Sequence, residues 1–139
     1  MSRAEAAAAR TEAALKAGGF ADMRPVYRAL LKRLKQKNAV LFDEATDHYE
    51  ESVGSELARE DADPVAAWVG YGAWLATRLG EGRLVKLDAT GLATPADPEP
   101  VTGHVLLYLP EDGGASAIPL LRPAEPSPAQ QAALELLTG

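Results

Sequence analysis

Residues 63–80, DPVAAWVGYGAWLATRLG, decide the fold. Asp63 followed by Pro64 is a helix start. The carboxylate can accept backbone N–H bonds, and the proline lacks an N–H only where none is needed. No residue from Val65 to Thr77 is charged. Such a segment is too short to cross a bilayer, so it is predicted to run through a protein core. Gly80 ends it. Ala66, Gly70, Ala73 and Thr77 form a small side where another backbone can approach, while Trp68, Tyr71 and Leu75 fall on another.

Upstream, the pattern stays helical. Val26, Tyr27, Leu30, Leu31 and Leu34 recur at helical spacing, with Asp22 as the expected cap and Pro25 in the first turn. Val40, Leu41, Ala45, Tyr49, Val53 and Leu57 mark the apolar side of a further helix from Ala39, in which Gly54-Ser55 is a weak point. Residues 1–19 predict an alanine-rich helix or arm. Ser2 and Glu5 are spaced as a capping box, and Leu15 is its one large apolar side chain. An arm with so little to bury is expected to be dispensable for the core.

Downstream of Gly82 the period changes. Residues 83–88 and 104–109 and the stretch 117–121 read as strands, with 90–102 as a proline-rich loop. Pro119 places the third strand at a sheet edge. Ser127-Pro128, with Gln130 three residues after the serine, opens a helix over 127–138. The expected fold is α+β: a helical part to about residue 80, a three-stranded antiparallel meander and a C-terminal helix. Residues 20–139 are read as one domain, since no long linker separates the two halves.

Composition bounds function. The 139 residues carry a net charge of −6 and no cysteine. Disulfides, thiolate nucleophiles and cysteine-ligated metals are therefore excluded. The acidity argues against nucleic acid and anionic lipid as partners. The first twenty residues do not read as a secretory signal, and no apolar run is long enough to span a membrane, so the expected location is cytoplasmic.

Three residue groups invite a functional reading. Glu44, Asp47, His48 and Glu51 share one side of a helix and could approach a divalent metal, but the set is incomplete and no metal or cofactor is expected. Arg24, Arg28, Lys32, Arg33, Lys35 and Lys37 make one helix basic beside an acidic one, which suggests mutual neutralisation. Trp68, Tyr71 and Trp74, with Arg78 one turn on, could border a ligand pocket, with Gly70 and Gly72 leaving room. No Walker loop or nucleophile elbow is present, and a His104–Asp88 pair is the one conceivable catalytic contact.

Residues 105–109, VLLYL, are apolar on both alternating faces. A small sheet usually keeps one face wet. The leading expectation is thus a non-catalytic interaction or accessory module, self-associating as a homodimer or binding another protein. The alternative is a small-ligand-binding or enzymatic domain with its pocket beside the helix at 65–79.

Overall fold

In the computed structural model, which describes residues 2–113 and 115–139, the charge-free segment forms a helix at Pro64–Leu79 around which the helices that precede it gather. Helix α1 is Arg3–Ala17 and α2 is Arg24–Lys37. Helix α3 comprises Ala39–Tyr49, a π-helical turn Glu50–Gly54 and the closing turn Ser55–Leu57. The central helix is α4, and α5 is Pro128–Thr138. The strands are β1 Gly82–Leu87, β2 Ala93–Pro95, β3 Val105–Pro110 and β4 Ile118–Leu121.

Most helix starts follow from side-chain caps. Asp63 accepts the Ala66 N–H, and Ser127 and Gln130 form a reciprocal capping box on α5. Asn38 breaks α2 from α3 and caps the latter through the Val40 N–H. At α2 the cap position is Met23, with no side-chain cap. Asp22 lies one residue outside, accepting from the Arg24 backbone and guanidinium.

Ala45, Tyr49, Val53 and Leu57 are spaced by four, and Ala45, Val53 and Leu57 are all buried. In a regular α-helix each four-residue step turns a side chain about 40° further round the axis. The wider π turn at Glu50–Gly54 takes up that drift, so the four-residue series keeps facing α4.

The sheet is antiparallel, in the order β2-β1-β3-β4. Pro119 does lie on an edge strand, where β3 and β4 shift register between Leu106 and Leu107. The fourth strand, β2, falls within the stretch read as a loop. Asp88 explains it: its Oδ1 accepts from the Thr90 N–H, the Thr90 hydroxyl and the Leu92 N–H. With Gly91 at φ 80, that turn folds the chain back so that Thr94 pairs with Lys86.

Both faces of β3 are buried, and the cover comes from within the chain. Leu106 and Tyr108 join the main core with Ile118, Leu120, Leu121 and the apolar sides of α1 to α4. Val105 and Leu107 turn the other way, into a second cluster with Val85, Leu87 and Leu134 of α5. Gln130 anchors α5 over this face; buried, its amide donates to the carbonyls of Leu87 and Gly103. The surplus apolar surface from which self-association was expected is therefore hidden by α5.

Helix α1 is docked as well. Leu15 and Thr11 are buried, and Arg10 donates to the carbonyls of Leu57 and Arg59 at the end of α3. Just beyond it, Gly19, Phe20 and Ala21 make backbone contacts with residues 122–124. No helix among the described residues is long and apolar enough to cross a membrane.

Candidate functional site

A cavity of about 240 Å³ opens between α2, α3 and α4. Tyr27 and Leu31 of α2, Phe42, Thr46 and Tyr49 of α3, and Trp68 and Tyr71 of α4 form its walls, with Arg24 and Arg28 completing the α2 side. The spacing that builds each helix builds the cavity: Tyr27 and Leu31, like Thr46 and Tyr49, recur within one helical turn, so each pair shares a helix side.

The rings are held in place. Tyr27 donates to the Leu120 carbonyl at 2.7 Å and Tyr71 to the Ala45 carbonyl at 2.9 Å. The Trp68 indole N–H donates to Thr11 Oγ1 at 3.3 Å. Tyr49 sits edge-on to Tyr71, with ring centroids 5.6 Å apart, and tilted against Trp68 at 5.5 Å. Its hydroxyl makes no hydrogen bond among the described residues.

Burial keeps these phenols protonated. It pushes Tyr71 up to about 12, with Tyr49 adding to the effect. Tyr27 is raised by burial alone. Tyr49 is raised by burial and by Glu50, with Arg24 acting against them. At neutral pH these groups can stack and donate, but they do not accept a proton.

The two arginines differ. Arg24 is committed: its Nε meets Asp22 at 2.9 Å and its Nη2 meets Glu12 at 3.3 Å. That pairing holds the Asp22 carboxyl below its ordinary value and raises Arg24. Arg28 is exposed and makes neither hydrogen bond nor ion pair among the described residues.

The four residues singled out on α4 divide into two groups. Trp68 and Tyr71 line the cavity. Trp74 and Arg78 do not; they form an outer stack in which His48 lies 4.2 Å from the Trp74 ring, nearly parallel, and the Arg78 guanidinium lies 4.8 Å from it. His48 thus leans on an indole, while Glu44, Asp47 and Glu51 are exposed. Among the described residues no three His, Asp or Glu side chains gather as a metal site would require.

Gly72 leaves room for Tyr27 rather than for a ligand, since a Cβ there would lie 2.5 Å from the Tyr27 ring. Nor is Gly70 a point of close approach, for a Cβ there meets nothing within 4 Å. The Asp88 carboxylate is taken up by its own turn, and His104 Nδ1 is buried with no hydrogen-bond partner. The two do not form a hydrogen-bonded dyad.

The α2 and α3 walls were not foreseen as a site. Tyr27, Leu31 and Tyr49 read as core-facing stripes, and three such stripes meeting around a gap leave no local signal. The class of molecule that fold and site define is an α+β domain with a sheet between a helical layer and a single helix, and an aromatic pocket within the helical layer. No family model, curated protein or solved structure matches the chain.

Proposed function

We propose that the protein is a non-catalytic binding module that takes a small, flat, largely apolar molecule into the pocket between α2, α3 and α4. The observation that carries this reading is the aromatic wall of Phe42, Tyr49, Trp68 and Tyr71 around a 240 Å³ cavity. Small-molecule sites are concave, mostly apolar and edged by a few polar groups. Here the polar residues of the lining are Arg24, Arg28, Thr46 and Tyr49. Binding is favoured over turnover because neither a histidine nor a carboxylate lines the cavity, and His48 is stacked on Trp74 outside it. A cytoplasmic setting suits a cysteine-free chain.

The test is a titration with neutral 2-naphthamide, followed through the Trp68 indole N–H resonance. Saturable one-to-one binding is expected, and Leu31→Trp, which fills the space, should abolish it. A resonance that moves linearly without saturating would count against a pocket.

Self-association, the first expectation from β3, has a narrower basis once α5 covers that strand. Among the described residues, the exposed large apolar ones, Val40, Leu92, Leu136 and Leu137, lie at the start of α3, in the β1–β2 turn and on α5. This scatter favours a single chain.

A further inference from the structure

We infer that the ligand of the aromatic pocket is an organic anion, with a flat body among the rings and a carboxylate held by Arg28. This rests on the pocket reading and adds the charge of the ligand. An aromatic cage by itself would suit a cation, because ring faces attract positive charge. The α2 side of this cage reverses that preference. Arg24 and Arg28 both line the cavity, and Lys35 stands 5.3 Å from the ring of Phe42, another of its walls. Of these, Arg28 lines the cavity with no ion-pair partner, and it is the charge that a bound cation would meet.

The positive charge is also left over, in a chain whose net charge is −6. Adjacent basic and acidic helices were expected to neutralise each other. Yet among the described residues no ion pair joins Arg28, Lys32 or Arg33 to the acidic residues of α3. Among the described residues, ion pairs join Glu12 and Asp22 to Arg24, and Glu56 and Asp61 to Arg59. Arg24 is thereby paired, so the charge on the cavity wall without a contact partner belongs to Arg28, which acts on Asp22 only through space. A guanidinium offers a planar fork that fits a carboxylate through two parallel bonds. Tyr49, whose hydroxyl has no hydrogen-bond partner among the described residues, lines the same cavity. The rings supply the rest, since an aromatic body can stack on Trp68 or meet Tyr49 edge-on.

The experiment compares three probes of one shape by calorimetry: 2-naphthoate, neutral 2-naphthamide and 2-naphthylmethylammonium. The expected order is acid tightest and ammonium weakest, with the acid at least about tenfold tighter than the amide. Arg28→Gln should bring the acid down to the amide's affinity. Arg28→Lys should recover part of the difference, since charge returns without the fork. Arg28 is exposed, so neither variant should alter the melting temperature. A second readout needs no variant: added salt should weaken the acid and leave the amide unchanged. Equal affinity for acid and amide, or tighter binding of the ammonium, overturns the anion inference while the pocket reading stands. Failure of all three probes to bind overturns both.

Discussion

Gly70 and Gly72 lie two residues apart in α4, and the same substitution should act in opposite directions at the two sites. At Gly70 a methyl group points into open space, so Gly70→Ala should stabilise the helix by about 0.5–1 kcal/mol. At Gly72 it would lie 2.5 Å from the Tyr27 ring, whose hydroxyl is tied to Leu120. The ring cannot retreat without losing that bond, so Gly72→Ala should cost about 1–3 kcal/mol as overpacking. Urea unfolding of both variants checks this, and a loss at Gly70 or no loss at Gly72 would contradict the packing described. Residue identity alone could not separate the two glycines. The neighbour that distinguishes them, Tyr27, is forty-five positions from Gly72 in the chain, and only the crossing of α2 over α4 brings it there.

At the scale of elements, the sequence was most readable where a local rule is self-contained. Asp63-Pro64, Ser127 with Gln130, and Pro119 at a sheet edge each act through neighbours a few residues away, and each is seen in the structure. The strand β2 was missed because prolines dominate its surroundings, although Asp88, Thr90 and Gly91 carried the turn chemistry that makes it. The pocket was half legible: Trp68 and Tyr71 came from α4, but the remaining walls depend on how three helices converge. Helix α1 raises a separate question. Its composition suggested an arm, whereas Leu15 and Thr11 are buried and Arg10 closes the end of α3. Leu15→Ala should therefore cost about 2–4 kcal/mol, as for other buried leucines. A chain beginning at Phe20 should still unfold cooperatively, because the main core is built largely from α2 to α4 and the sheet. Its denaturation midpoint should fall and its tryptophan emission should shift to the red as Trp68 loses Thr11. An unchanged midpoint would show that α1 contributes nothing to stability.

At the scale of the whole molecule, the question is whether any apolar surface is left for a second copy. A dimer of this size would need a contiguous apolar patch or a free sheet edge. The apolar supply of β3 is absorbed on one side by the helical layer and on the other by Leu134 of α5. Neither edge of the sheet invites pairing. At one end β2 is only three residues long and finishes in Pro95. At the other, β4 carries Pro119, and the chain just beyond it is occupied by backbone contacts to Gly19, Phe20 and Ala21. Leu136 and Leu137 on α5 are the nearest thing to a patch, but Leu137 is only 37% exposed and Glu135 precedes them. Sedimentation equilibrium at micromolar concentration should give a single species of 14.7 kDa, unchanged on dilution. A mass of twice that value would mean that the outer side of α5 carries more binding energy than two leucines suggest. Leu136→Asp would then decide the matter, since it lies outside both apolar clusters and should dissociate such a dimer without unfolding the chain.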